Sequence, residues 1–415
     1  MAKLVYANYL KRFFIHSFSQ NVDLPNADAY VVIPCFAEEA LFQTLTSLEA
    51  NLETKKEFCV LVVVNSKLTD DESNKALSRS NVETCEKFSQ LNLHFSFAWI
   101  DARDLEDKNS GVGLARKIGM DAVIINSLET GNNPALICLD ADCEVSNNFF
   151  RRIEEEFILS DAEVAVLEFV HKIPIDLDKD LGKGIEQYEL FLEYYRLGLK
   201  LADFPFSYHT VGSSMACKAV AYASQGGMNQ RKAGEDFYFL HKLFPHYKTI
   251  EIAGPLVFPS PRVSKRVPFG TGRFQEKWIE AGDEVFNSYN PNVFFVLRDF
   301  IKVCIQCLEV DPVDFKNAFG VFCATYPNGE EFLSQFEVYL NLKKVWDSSP
   351  KPEKRKKALF QWFDGLRALK LVHYFDATLP KVKVSEAVKI LLPQFTELKF
   401  DSDLKNALRN YLKAS

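Results

Sequence analysis

From Ala29 onward, short apolar runs alternate with longer stretches in which apolar residues recur at helical spacing. Tyr30–Pro34 (YVVIP), Val60–Val64 (VLVVV), Phe95–Ile100 and Ala135–Leu139 (ALICL) are rich in β-branched or aromatic residues and bounded by polar or turn residues. They predict strands covered on both faces. Between them, Glu38–Leu52, Thr69–Gln90 and Gly113–Leu128 have the length and periodicity of helices. The β-α-β-α-β-α-β succession predicts an α/β domain with a mostly parallel central sheet under helices. Further along, the pattern predicts a charged helix over Asn147–Leu159, a strand over Ala162–Val170, a long helix over Lys183–Ala202, a turn at Val211-Gly212-Ser213-Ser214 and a helix over Gly234–Leu243. Beyond about Phe274 only helical patterns remain, rich in Phe and Leu. They are broken at Asp347–Lys357, a cluster of proline and charged residues that reads as a solvated linker. The chain thus divides into an N-terminal extension (1–28), an α/β domain (29–272) and a helical C-terminal region (273–415, with the linker near 347–357).

Composition narrows the class. With 415 residues, 47% hydrophobic and 25% charged, the chain is an ordinary globular protein of two to three domains. A net charge of −7 argues against a broad nucleic-acid surface, which needs a positive stripe. The nine cysteines are odd in number and scattered through apolar runs, which fits free thiols in a reducing, cytoplasmic compartment. Cys304-x-x-Cys307 lies alone in the apolar run Phe294–Leu308 and reads as core packing, not as a zinc or redox pair. The N-terminus has no apolar h-region followed by a small-residue cleavage site. No run approaches about 18 apolar residues, so a soluble protein without a transmembrane segment is expected, with peripheral membrane contact through basic helices left open.

In parallel sheets, ligands bind beyond the carboxyl ends of the strands. The segments to inspect are therefore Pro34–Glu39, Asn65-Ser66, Asp101–Arg103 and Asp140-Ala141-Asp142. Asp140 and Asp142 directly follow a strand and form a hard-oxygen pair able to hold a divalent cation that also binds a diphosphate. Taken alone, the same residues better suit an Asx turn or helix cap. Glu235-Asp236 opens an apolar helix, where acidic residues offset the helix dipole. Ser260–Arg266 with Phe269-Gly270-Thr271-Gly272 is a basic loop punctuated by Pro and Gly, of a kind that closes over phosphates or simply lies solvated.

Taken in order, YVVIPCFAEE (30–39), GVGLARKIG (111–119), LICLDAD (136–142) and Val211–Asp236, with Gly226-Gly227 and Glu235-Asp236, resemble the family 2 glycosyltransferases of GT-A fold. The resemblance covers roughly Ala29 to Gly272. It implies a GT-A-like nucleotide-diphospho-sugar transferase domain that moves a sugar from a nucleoside-diphosphate sugar to a hydroxyl acceptor, whether glycan, lipid-linked or small molecule. It also implies inversion at the anomeric carbon and a divalent cation, Mn²⁺ or Mg²⁺, as cofactor. Pro34, Phe36 and Glu38 would lie against the nucleotide base. Asn65 stands where the family commonly has Asp, and Gly113 and Arg116 open a helix that passes the nucleotide and its phosphates. Asp140 would contact donor and metal, and Asp142 metal. Asp236 would serve as catalytic base with Glu235 orienting the acceptor, the order of the two being open. Arg262 and Arg266 would neutralise phosphates, and His209 or His241 could add a third metal ligand. Gln275-Glu276-Lys277-Trp278 lacks the Arg of the processive synthases' Gln-x-x-Arg-Trp and is one residue too short, so single additions are expected.

Two rivals differ in class. A sugar-nucleotide pyrophosphorylase shares the sheet architecture, but its Gly-rich basic loop after the first strand is replaced here by the acidic, Gly-free Cys35–Glu38. A non-catalytic module of the same fold would bind a protein partner through its C-terminal helices, against which stands the presence of both carboxylate pairs.

Overall fold

The structure, a computed structural model, describes residues 1–13, 15–106, 110–174, 178–230, 234–264, 270–281 and 287–414. The chain forms two compact units, one of residues 1–177 and 210–276 and the other of residues 178–209 and 277–415.

The first unit is built on an eight-stranded sheet. Its strands are β1 (Ala29–Cys35), β2 (Phe58–Lys67), β3 (Ser96–Leu105), β4 (Ala135–Cys138), β5 (Glu144–Val145), β6 (Val164–Phe169), β7 (Met215–Lys218) and β8 (Thr249–Phe258). Their order is β3-β2-β1-β4-β7-β6-β8-β5. The pairs β1/β2, β1/β4, β2/β3 and β6/β8 are parallel, and β7 and β5 run against their neighbours. The sheet is therefore mostly parallel, as the alternation of apolar runs and helices predicts. Every residue of β1 is buried, and so is β2 up to Ser66, because helices cover both faces of the central strands.

One helix sets the approach to the sheet. Val112–Thr130 packs on β1 and β2. A Cβ on its Gly119 would lie 2.6 Å from Val32 Cγ1 and 3.0 Å from Val63 Cγ2, so only glycine allows this close a helix–sheet contact. Gly131 ends the helix in the left-handed region at φ 82°, donating its N–H to Ser127 O. The N-terminal helix Ala2–Arg12 packs against this same helix.

Among its described residues, the second unit is helical apart from a two-residue ladder, Asn287–Ser288 with Val382–Lys383. Its core is dominated by leucine and phenylalanine. The Phe300 ring lies 4.9 Å from Phe363, 5.8 Å from Phe332 and 5.9 Å from both Phe319 and Phe322. Lys179–Leu201 belongs to this unit and packs on Asp401–Ala414. Buried ion pairs tie the two helices, with Lys405 Nζ 2.7 Å from Glu189 Oε2 and Arg409 Nε 2.9 Å from Glu193 Oε1. Cys304 and Cys307 are buried among apolar side chains, and burial pushes both thiols up, consistent with packing. Residues 348–351 separate the helices Val338–Asp347 and Pro352–Trp362, so the lysine run expected as linker is helical from Pro352 onward, with the proline in the first turn. Among the described residues, no helix is long and apolar enough to cross a membrane.

Candidate active site

The site forms beyond the carboxyl ends of β1 and β4, where the backbone leaves the sheet. After Cys35 the chain turns sharply, and Ala37 takes a left-handed φ of 43°, a conformation an L residue holds only when its surroundings fix it. The fixing group is Asn81 on the helix Glu72–Phe88. Its Oδ1 accepts from Glu38 N at 2.9 Å and its Nδ2 donates to Glu38 O at 2.6 Å. The buried Glu38 carboxylate is then gripped by Arg262, whose Nη1 donates to Oε1 at 2.6 Å and whose Nη2 donates to Oε2. Arg262 Nη2 also lies 2.9 Å from Asp142 Oδ2, so one guanidinium bridges the ends of β1 and β4.

Asp140-Ala141-Asp142 is indeed a turn. Cys143 N donates to Asp140 O at 3.1 Å, and Thr44 Oγ1 pins Ala141 O at 2.8 Å. The turn sends its carboxylates to different arginines. Asp140 Oδ1 accepts from Arg116 Nη2 at 2.5 Å, while Asp142 meets Arg262. Burial pushes the Asp142 carboxyl up to about 6, with Asp140 and Glu38 adding to the rise and Arg262 opposing it.

Arg116 is the hub. It is 2% exposed, its Nη1 donates to Glu235 Oε1, and its Nε has no hydrogen-bond partner among the described residues. Gly212 makes room for it, since a Cβ there would fall 2.5 Å from Nη2 and 2.8 Å from Cζ. Glu235 and Asp236 open the helix Glu235–Leu243 behind Gly234, which sits in the left-handed region at φ 69°. Glu235 is buried against Arg116, and Asp236 is half-buried. Asp236 Oδ1 accepts its neighbour's N–H, from Phe237, at 2.7 Å, and the Gly212 amide also favours its ionised form. Burial raises both carboxyls; Arg116 opposes the rise on each, and Asp140 adds to it.

Seven of the expected residues thus converge: Glu38, Arg116, Asp140, Asp142, Glu235, Asp236 and Arg262. Pro34 is a buried strand residue opposite Val63, and Phe36 is half-buried at the strand's end. Asn65 is buried in β2 with its Oδ1 unpartnered among the described residues, and Gly113 is buried in the first turn of its helix. Arg266 lies outside the described residues. His241 packs between Phe237 (4.5 Å) and Phe244 (5.4 Å), and burial lowers its pKa to about 3, the setting of a neutral core imidazole. His209 belongs to the second unit, where its Nε2 is 3.3 Å from Glu193 Oε1. Asn81 and Thr44 support the site without any motif to mark them, and Gly212 was marked by the Gly-Ser turn at 211–214.

Among the described residues, no group of three or more His, Cys, Asp or Glu is arranged to hold a metal ion. Asp140 and Asp142 are the oxygen donors that would hold a hard divalent cation. Asp140 and Asp142 each meet an arginine through one oxygen, and five carboxylates in the cluster face two guanidiniums. Burial raises Asp142, Glu235 and Asp236, and a dication beside them would favour their ionised forms.

No protein-family model matches the chain, and no curated protein sequence matches it. Among solved structures, S. aureus TarS 1–349 is similar at 11% identity and a TM-score of 0.37, over 94% of this chain and 92% of that one. The same fragment in complex with UDP-GlcNAc matches at 11% identity and 0.39, over 94% and 92%. Its complex with UDP matches at 12% and 0.37, over 90% and 92%. At these values the likeness carries no assignment to this chain, whose fold is defined by its own strand order.

Proposed function

We propose that the protein is a GT-A-like glycosyltransferase that moves a sugar from a nucleoside-diphosphate sugar to a hydroxyl acceptor, with inversion and by single additions. The observation that carries this reading is the junction of both carboxylate pairs on one buried guanidinium, Arg116, at the carboxyl edge of a mostly parallel sheet. In this reading Asp236, the more accessible of its pair, takes the acceptor's proton as the acceptor oxygen bonds to the anomeric carbon and the nucleoside diphosphate departs. Glu235 is committed to Arg116 and orients the acceptor side. Glu38, Phe36 and Asn65 would meet the base, and Arg262 would exchange its carboxylate partners for the donor's phosphates. Asp140 and Asp142 would hold Mn²⁺ or Mg²⁺, which when bound supplies positive charge for the departing diphosphate.

The test is a thermal-shift screen of the full chain against UDP, GDP, CDP and dTDP and their sugars, UDP-GlcNAc included, with and without Mn²⁺. A ligand at 100 times its Kd stabilises the native state by about 2.7 kcal/mol. One nucleotide class should raise the melting temperature, and more so with cation; no shift with any of them would count against the reading.

A further inference from the structure

The residue after Arg116 points into a second buried polar cluster that the proposed reaction does not use. Asp121, fully buried, accepts from Tyr9 Oη at 2.6 Å and from Tyr222 Oη at 2.8 Å on Oδ1, and from Lys117 Nζ at 2.8 Å on Oδ2. Lys117 Nζ also donates to Tyr9 Oη at 2.6 Å. Lys117 and Asp121 sit one turn apart on the helix that carries Arg116, whereas Tyr9 comes from the N-terminal helix and Tyr222 from the helix Ala219–Ser224. Burying an ion pair with two phenols is costly unless each member is satisfied, and here each is.

The cluster leads back to the active site along the chain. Tyr222 begins the turn through Gly226 and Gly227, both left-handed, at φ 77° and 70°. A Cβ on Gly227 would fall 2.3 Å from Tyr9 Oη, and one on Gly226 would fall 2.8 Å from Phe13 Cζ, so the N-terminal segment rests directly on this turn. The far side of the turn is tied to the helix bearing the carboxylate pair. Lys242 Nζ donates to Gly227 O at 2.9 Å and to Gln225 O at 3.2 Å, and Asn229 Nδ2 donates to Glu235 O at 3.0 Å. Glu235 in turn accepts from Arg116, whose neighbour Lys117 began the circuit.

We infer that Tyr9 is a positioning residue: through the Asp121–Lys117–Tyr222 cluster and the 225–229 turn, the N-terminal helix holds Glu235 and Asp236 in register with Arg116. The inference deepens the proposed function and rests on it for its kinetic consequence, but the mechanical coupling stands on the contacts alone. The N-terminal extension is then part of the active-site scaffold.

Two variants test it from opposite ends of the circuit. Tyr9→Phe removes one hydroxyl and keeps the ring stacked on Phe13 at 5.2 Å, and Lys242→Gln loosens the turn while leaving the N-terminal helix intact. Hydrogen exchange followed by mass spectrometry should show faster exchange in peptides covering 225–240 for both variants, with β1 and β2 (29–67) unchanged. In transfer assays run beside wild type and Asp236→Asn, kcat should fall between about 5- and 100-fold, since small misplacements of reacting groups are costly, while nucleotide affinity by calorimetry stays within about twofold. Unchanged exchange at 225–240 in Tyr9→Phe overturns the coupling whatever the activity, and unchanged exchange in Lys242→Gln removes the turn from it. Full kcat in both, with Asp236→Asn inactive, overturns the positioning role. A wild type that transfers nothing overturns the functional reading, and the exchange arm still decides the coupling.

Discussion

Replacing Arg116 by Met probes the hub of the site with little change in side-chain length. The guanidinium is 2% exposed and holds Asp140 Oδ1 at 2.5 Å and the buried Glu235. Removing one partner of a buried ion pair costs about 3–5 kcal/mol, because the carboxylate left behind is desolvated without a counter-charge. At about 2–4 °C per kcal/mol for a unit of this size, the melting temperature should drop by roughly 6–20 °C. The sign of the pH dependence follows from the carboxyls around Arg116. Glu235 and Asp236 are already raised by burial, with Asp140 adding and Arg116 opposing, so losing Arg116 raises them further. A group whose folded pKa lies above its unfolded value contributes stability below the unfolded pKa and loses it as pH rises through the folded one. The gap between variant and wild type should therefore widen from pH 5 to pH 8 in a calorimetric series. A variant that melts within about 2 °C of wild type, or a gap independent of pH over that range, would refute the hub.

Two further outcomes follow from the same geometry. Gly119→Ala forces a Cβ to within 2.6 Å of Val32 Cγ1; overpacking of this kind costs about 1–3 kcal/mol against a helix-propensity gain of at most about 1, so denaturant melts should show net destabilisation, and equal or greater stability would contradict the close helix–sheet contact. Asp142, pushed up to about 6, makes wild-type stability fall as pH rises through that value. Asp142→Asn should flatten the decline between pH 5 and 7.5 and abolish any stabilisation by millimolar Mn²⁺, whereas a retained Mn²⁺ effect in the variant would remove Asp142 from the cation site.

The parallel strands nearest the site were legible because strands buried on both faces are uninterrupted apolar runs, which is how β1, β2 and β4 read. The strands β7 and β8 were not. The first has four residues, and the second is broken at Gly254-Pro255, where its pairing with β6 shifts register between Leu167 and Phe169. Nor does hydropathy mark the passage of residues 178–209 into the second unit, since a long helix has the same pattern whichever core it joins. At the site, the carboxylate pairs and Arg116 were visible one by one at element ends. Their direct pairing was not, because Arg116 reaches Asp140 across 24 residues and Glu235 across 119, and Arg262 reaches Glu38 across 224. Asn81 escaped notice altogether, being a polar residue in mid-helix whose role is to clasp a backbone.

The central claim, that Asp236 performs general-base chemistry in glycosyl transfer, is tested most directly by Asp236→Asn assayed with the donor found in the nucleotide screen. The amide keeps the size and most of the hydrogen bonding to Phe237 N but lacks the basic carboxylate. Single-turnover transfer should fall by about 10²-fold or more, while donor affinity by calorimetry remains near that of wild type. Transfer at the wild-type rate would contradict the assignment, and loss of donor binding in parallel would make Asp236 a donor-binding or structural carboxylate instead of the base.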